Sequence, residues 1–228
     1  MPLHNQKGFG GLLVSDRVDH TDDLQRFDEW LLQEWSLPYQ VGKRFFDLMW
    51  CVCLVPFLVL TAAALRILNP IFNPGPLLFR QKRMGRNGVP FTVLKFRTMS
   101  LGGEGARGPS DPAETHRVTG FAAMIRKSHL DELPQILNIL IGEMSFVGPR
   151  PDMWDHAVEY SRIVPNYPQR YSVRPGITGL AQVTVGYAAT LDQVSAKTNS
   201  DLEYIRNAGF WMDIKIVMRT VLHILARG

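Results

Sequence analysis

The chain has 228 residues, 46% of them hydrophobic, enough for one globular domain with a sizeable core or for a domain plus an appendage. Lys and Arg number 25 against 21 Asp and Glu, an excess too small to argue for nucleic acid and equally suited to anionic lipid or phosphorylated substrates. Cys51 and Cys53, two residues apart in an apolar run, cannot form an ordinary disulfide, and no Cys or His group has zinc spacing, so neither an oxidising compartment nor a zinc site is indicated.

The opening "MPLHNQKGFGGLLVSD" has no long apolar core and is not a secretory signal; residues 1–20 read as disordered. Over 21–35, Thr21 suits an N-cap, and Leu24, Phe27, Leu31 and Trp35 fall at helical spacing. This predicts an amphipathic helix, lying on a membrane or packed on the domain. From Leu48 to Leu65, "LMWCVCLVPFLVLTAAAL" carries no charge across 18 residues. A straight helix of that length is about 27 Å long, the lower limit for crossing a bilayer core. Pro56 sits in its middle and removes one backbone hydrogen bond. Lys43 and Arg44 precede the run; Arg66, Arg80, Lys82 and Arg83 follow it. Positive charge favours the cytoplasmic side, so basic flanks at both ends are awkward for a span and suit a re-entrant helix bent at Pro56, with a plain span and a tolerated proline as the equal alternative. A buried core helix is the third reading.

"NPIFNPGP" (69–76) is a turn-rich exit. Residues 77–99 predict two strands around a Gly-Arg-Asn-Gly turn, with Lys95 and Arg97 on one face of the second strand and Leu94 and Phe96 on the other. Residues 100–119, rich in Gly, Ser, Pro and charge, predict a long loop. "GEGARG" (103–108) matches a dinucleotide fingerprint only formally, since no helix can begin at the "PSDP" that follows.

"SHLDELPQ" (128–135) sets two carboxylates side by side below Arg126 and Lys127. Proline belongs in the first turn of a helix, which makes Asp131 an N-cap, with Leu133, Ile136, Leu137 and Leu140 as the apolar face and Gly142 at the end. On that reading Asp131 accepts backbone N–H bonds and Glu132 points to water, and helix capping is the commoner use of such a pair. The same position also keeps a carboxylate ionised, and an oriented carboxylate is a competent nucleophile toward a phosphoryl group once cations neutralise the phosphate. Lys95, Arg97, Arg126 and Arg150 are the candidate cations. Asp152 and Asp155 read as helix-capping residues before metal-assisting ones, and His129 as a solvated loop histidine before a substrate contact. No Ser/His/Asp arrangement supports a hydrolase. Near the C-terminus Lys215, Arg219 and His223 recur every four residues beside Ile214, Val217, Met218, Val221, Leu222 and Leu225. This predicts a helix that is interfacial or packed on the domain.

Six ordered blocks now carry a resemblance. They are "KRFFD" (43–47), "NPGPLLFRQKRMGRNGVPF" (73–91), "KFRTM" (95–99), "RKSHLDELPQILNILIGEMSFVGPRP" (126–151), "RPGITGLAQV" (174–183) and "DLEYIRNAGFWMDIKIVMRT" (201–220). In this order the chain from about Lys43 onward resembles the bacterial sugar transferases, the monotopic phosphoglycosyl transferases, in their compact form. The resemblance implies that Asp131 attacks the sugar-linked phosphate of a UDP-sugar and expels UMP. A polyprenyl phosphate, undecaprenyl phosphate in bacteria, then takes the phosphosugar from the aspartyl intermediate and so begins an exopolysaccharide, capsule or other surface glycan. Glu132 matches the second acid of the dyad, with Asp131 and Glu132 as the metal-binding pair for Mg²⁺. Arg126, Arg150, Lys95 and, in the same block, Arg97 match positions for phosphate or substrate.

The implied fold is α/β in the loose, helix-rich α+β sense. A disordered start and amphipathic helix would occupy 1–40, a re-entrant membrane helix 41–68, and a catalytic domain with interfacial amphipathic helices 69–228. Lys43 and Arg44 match the membrane anchor and Pro56 the helix break. The implied setting is monotopic, on the cytoplasmic face of the bacterial inner membrane among its lipids, with a homodimer as an open arrangement and nucleic acid excluded. Departures are Val55 before the proline, the absence of Gly-Arg after "Q" in "QVTVGY" (182–187), and an N-terminal stretch too short for the multi-span region of larger members. The competing class is a membrane scaffold of the same fold without turnover, against which the intact set of Asp131, Glu132, Lys95, Arg126 and Arg150 argues.

Overall fold

The structure, a computed structural model, describes residues 35–100, 115–186 and 190–227. The expected amphipathic helix over 21–35, all but its last residue, and most of the expected loop over 100–119, with its "GEGARG", lie outside them. The described part begins with α1, Leu37–Phe72, a 36-residue helix that contains Pro56 and Pro70. The expected break at Pro56 is therefore not a break in helical structure. Proline costs the helix one hydrogen bond, and the residues on both sides are held by other contacts. Lys43, Asp47, Cys51, Leu65, Asn69 and Asn73 are buried, while Leu54, Leu58 and Ala62 pack partly against the same body. The intervals of three and four residues between these positions place them on one side of α1 from end to end. The other side leaves Val52, Phe57, Val59, Leu60 and Ile67 exposed. Among the described residues α1 is the one helix long and apolar enough to cross a membrane.

Both ends of α1 are tied to the domain by polar groups. Lys43 donates to Asp213 at 2.8 Å in a buried ion pair, and Tyr39 and Tyr204 donate to the same carboxylate. Arg44 donates to the carbonyls of Ile139 and Leu140, and Asp47 accepts from the Ser145 hydroxyl and the Phe146 N–H. At the other end Asn73 donates to the Arg97 carbonyl. Lys43 and Arg44, expected as membrane anchors, are thus fasteners between helix and domain: their head groups are spent on Asp213 and on backbone carbonyls.

The hairpin forms as its turn residues require. β1 (Leu78–Met84) pairs antiparallel with β2 (Pro90–Phe96), Met84 opposite Pro90, with Asn87 and Gly88 at positive φ in the turn. After α2 (Gly120–Lys127, capped by Thr119) comes a 3₁₀ turn over Leu130–Glu132, then α3 (Gln135–Ile141) ending at Gly142 with φ 90°. The expected helix end holds. Its expected apolar face holds in part: Ile136 is buried and Leu133 packs against the core, with Ile139 also buried, whereas Leu137 and Leu140 are exposed. Buried Asn138 decides which side turns inward, since it accepts from the Leu94 N–H and donates to the Thr92 carbonyl along β2.

β3 (Ser145–Val147) and β4 (Gly176–Thr178) form a short parallel pair. A Cβ at Gly176 would come within 2.2 Å of the Gly148 N, so only glycine permits this crossing. Around it stand α4 (Trp154–Ile163), α5 (Leu180–Thr184), α6 (Leu191–Asn207) and α7 (Phe210–Arg227). The architecture is the expected helix-rich α/β arrangement with an N-terminal apolar helix. On α7 the exposed positions include Lys215, Arg219 and His223 but also Trp211, Met218, Leu222 and Leu225, while Ile216 is buried against Tyr204 and Ile205.

Removal of one partner from a buried ion pair strands the other charge. Asp213→Ala is expected to lower stability by about 3–5 kcal/mol in detergent-solubilised protein. Replacing both Lys43 and Asp213 by methionine and leucine should recover part of that loss in denaturation midpoint, the Tyr39 and Tyr204 hydroxyls still lacking their acceptor.

Candidate active site

Asp131 and Glu132 lie in the 3₁₀ turn between α2 and α3, entered through His129 in the left-handed conformation (φ 56°). The expected capping role fails on geometry: α3 starts at Gln135 with Pro134 as its N-cap residue, and neither acid accepts a backbone N–H there. The turn instead brings both carboxylates into the interior, each residue 9% exposed.

Their surroundings differ sharply. Glu132 accepts from Lys95 at 2.8 Å and from both terminal nitrogens of Arg150, a two-pronged pairing that matches guanidinium to carboxylate. Burial alone would raise its pKa, but Arg150 and Lys95 hold it well below the ordinary carboxylate range. Asp131 has no such partners: among the described residues its side chain accepts no hydrogen bond and makes no ion pair. Burial, and then the neighbouring Glu132 charge, push its carboxyl above that of an ordinary aspartate, against the pull of Lys95, Arg126 and His129. The site thus holds one acid whose charge is saturated and one whose charge is not.

Three segments deliver the cations. Lys95 comes from β2, fixed to α3 through Asn138. Arg126 comes from the last turn of α2, exposed and within electrostatic reach of Asp131. Arg150 follows the glycine crossing, where Gly148 donates to Thr178 and Gly176 donates to Pro149, and also donates to the Ile177 carbonyl at 3.1 Å. Arg97 is the exception among the expected cations. β2 ends at Phe96, and the Arg97 guanidinium is taken by the Asn73 side chain and by the Asn73, Pro76 and Met99 carbonyls. It locks the end of α1 to the hairpin and does not face the acids.

Beneath Arg150 lies a second charged cluster that sequence reasoning missed. Arg170, fully buried, donates to the Arg150 carbonyl, to Asp152 and to Asp201, while Lys197 and Tyr167 also donate to Asp152. Asp152 is therefore neither a helix cap nor a free carboxylate; Met153 is the N-cap residue of α4. No local motif joins Arg170 to Asp201. The one available signal was Asp201, which opens a block already singled out on other grounds; Arg170 lies in none of those blocks.

Among the described residues no three His, Cys, Asp or Glu side chains converge as a metal-binding group. A divalent cation here would rest on one or two carboxylates and on phosphates brought by a ligand, an arrangement that suits Mg²⁺. Unpartnered Asp131 fits that use; Glu132 could serve only by giving up part of its hold on Lys95 or Arg150. Next to Glu132 opens a largely apolar pocket of about 150 Å³ that also reaches His129, Phe146, Ile177 and Gln182.

Chemically, then, the site offers a carboxylate deprived of countercharge, with fixed cations around it, where a polyanionic phosphorus centre could be attacked. Known proteins similar to this chain include sugar-phosphate transferases. A protein of Caulobacter vibrioides named UDP-glucose:undecaprenyl-phosphate glucose-1-phosphate transferase is 42% identical over 172 residues, covering 75% of this chain and 63% of its own. The UDP-N-acetylgalactosamine-undecaprenyl-phosphate N-acetylgalactosaminephosphotransferase of Aeromonas hydrophila is 39% identical, over 82% of this chain and 44% of its own. The exopolysaccharide production protein PSS of Rhizobium leguminosarum is 39% identical, over 82% of this chain and 97% of its own. The chain thus spans less than two thirds of the length of the first two. The bacterial sugar transferase family matches residues 38–227, nearly the whole described structure, and the chain belongs to that family.

Proposed function

We propose that the chain transfers a sugar 1-phosphate from a UDP-sugar to undecaprenyl phosphate, as the early membrane step of an exopolysaccharide or other surface glycan. The observation that carries this is the contrast at the acid pair: buried Asp131 without a partner beside Glu132 bound by Lys95 and Arg150. An Asp131 carboxylate oxygen attacks the sugar-linked phosphorus of the donor. The phosphorus–oxygen bond to the nucleotide breaks and its electrons leave with UMP. The acceptor's phosphate oxygen then attacks the same phosphorus and returns the carboxylate. Shortage of countercharge makes Asp131 a better nucleophile, and Arg126 and Arg150 supply donors to the phosphoryl oxygens. Glu132 positions Lys95 and Arg150. Mg²⁺, held by Asp131 and the donor's diphosphate, would neutralise charge on that diphosphate.

The acceptor is a lipid, and the outer surface of α1 suits a membrane. Both ends of α1 are fastened to the one domain, which favours a monotopic protein whose apolar face enters the bilayer from the cytoplasmic side. Exposed Phe210, Trp211, Met218 and Leu222 of α7 add to that surface, with Phe210 beside Phe46 of α1.

Purified wild type with Mg²⁺, undecaprenyl phosphate and a panel of UDP-sugars should release UMP, and Asp131→Asn should lose on the order of 10³-fold or more of that rate. Full activity in the Asn variant would reduce Asp131 to a structural residue; silence of both across the panel would favour a scaffold without turnover. Arg150→Lys keeps a positive charge but not the two-pronged grip, and should cost roughly tenfold or more in kcat/KM. Aspartates at Val52 and Leu60 together, each unfavourable at bilayer depth by roughly 2–3 kcal/mol, should move protein from the membrane fraction to the soluble one. Undiminished membrane retention would remove the apolar face of α1 from the lipid.

A further inference from the structure

Arg83, which the sequence offers only as a basic residue beyond the apolar run, joins the cations around Glu132. The hairpin register brings it to them: Lys95 pairs with Phe79 and Phe91 with Arg83, so Arg83 and Lys95 share one face of the two strands. Neutral groups alone hold its guanidinium. Nε, at 3.1 Å, and one terminal nitrogen donate to the Gln81 side-chain oxygen. The other terminal nitrogen donates to the Pro151 carbonyl at 2.7 Å, directly after Arg150 in the chain. Gln81 also donates to the Met153 sulfur, and the Met84 N–H donates to the Asp152 carbonyl, so the end of β1 is fastened to the loop that carries Arg150. Among the described residues Arg83 makes no ion pair. The nearby acids are committed elsewhere, Glu132 to Lys95 and Arg150, and Asp152 to Arg170 and Lys197. Burial, and then the Arg150 charge, pull the Arg83 pKa down to about 10, against Asp152 and Glu132.

A guanidinium has five N–H donors, and three are used here, which leaves one on each terminal nitrogen of a partly exposed side chain. Such a cation, beside two others of its own sign and without an acid of its own, is unfavourable until an anion joins it. The charges that bear most on Asp131 are Glu132, Lys95, Arg126 and His129, whereas those that bear most on Arg83 are Arg150, Asp152 and Glu132. Arg83 thus belongs to the Arg150 side of the acid pair, displaced from the phosphorus that Asp131 attacks. We propose that Arg83 is a further substrate-binding residue, and that its two spare N–H groups donate to the phosphate that is not transferred. In the first step this is the nucleotide phosphate. Its bond to the attacked phosphorus breaks, the electron pair stays on the bridging oxygen, and UMP departs with the charge. In the second step the acceptor's phosphate attacks along the line that UMP left, because Asp131 occupies the opposite side of the same phosphorus. The acceptor oxygen forms the new bond and the Asp131 carboxylate is released. One fixed guanidinium therefore meets both phosphates in turn. The inference rests on the transferase reading given above.

The test compares wild type, Arg83→Gln and Arg83→Lys in detergent with Mg²⁺, with thermal denaturation to show that each folds. Titration calorimetry measures UMP binding, which needs no turnover. Steady-state rates give kcat/KM for the preferred UDP-sugar and for undecaprenyl phosphate, each of which reports its own half-reaction in a double displacement. The Gln variant is expected to bind UMP about tenfold more weakly and to lose about tenfold in both kcat/KM values. The Lys variant keeps the charge but not the fork held by Gln81, and should bind UMP more tightly than the Gln variant. Unchanged UMP affinity in the Gln variant would overturn the proposal, as would a fall confined to one half-reaction. Equal weakening in both variants would reduce Arg83 to a clasp between Gln81 and Pro151, and overturns it too. A wild type silent with all donors defeats the transferase reading itself, and this inference with it.

Discussion

The grip of Lys95 and Arg150 on Glu132 organises the centre of this molecule. It joins the second strand of a hairpin, a tight turn and the loop after a glycine crossing, segments that share no local contact in sequence. Two cations against one carboxylate leave a net positive charge beside Asp131. That residue is nevertheless short of direct partners, because the cations are already committed in geometry. A site arranged this way keeps one acid from being neutralised by its own scaffold, as the proposed nucleophile requires. It holds the positive potential ready for an incoming phosphate.

Support for the grip extends well below the surface. Arg150 is held at its backbone by Arg170, and Arg170 is enclosed by Asp152 and Asp201, with Lys197 balancing the second acid charge. Such buried charges are weak contributors to stability taken alone, since desolvation offsets most of the attraction. Their use here is directional. Each guanidinium nitrogen of Arg170 has its own acceptor, so the loop that carries Arg150 has little freedom to shift by the ångström that would matter for a phosphate contact.

Local features were legible in the sequence, and long-range ones were not. The hairpin followed from alternation and a Gly-Arg-Asn-Gly turn, and the end of α3 from Gly142, because each depends on backbone preferences of a few adjacent residues. The acids and Lys95, Arg126 and Arg150 could be named from residue type and resemblance. The sequence did not disclose which acid would be saturated, for that depends on the close approach of Gly148 and Gly176, 28 positions apart in the chain. Arg97 shows the limit of strand periodicity: it shares a face with Lys95 on paper, but the ladder stops one residue earlier and the side chain turns back to the end of α1. Leu137 and Leu140 looked like core for the same kind of reason. Asn138, by bonding along β2, rotated the helix so that they face outward.

The fastening of α1 also sets a schedule for biosynthesis. The helix is made early, yet Lys43 must await Asp213, 170 residues further along the chain. At ordinary translation speeds that interval is roughly 10–30 s, during which an apolar helix with a polar stripe lacks part of its final neighbours. Asp47 waits for Ser145 and Phe146, and Asn73 for Arg97 much sooner, so the helix is secured from its C-terminal end backward. The bilayer can take the apolar side at once, but the stripe cannot sink into lipid without stranding Lys43 and Asp47. On the membrane reading proposed above, the nascent helix would stay shallow until the domain that clasps it has been synthesised.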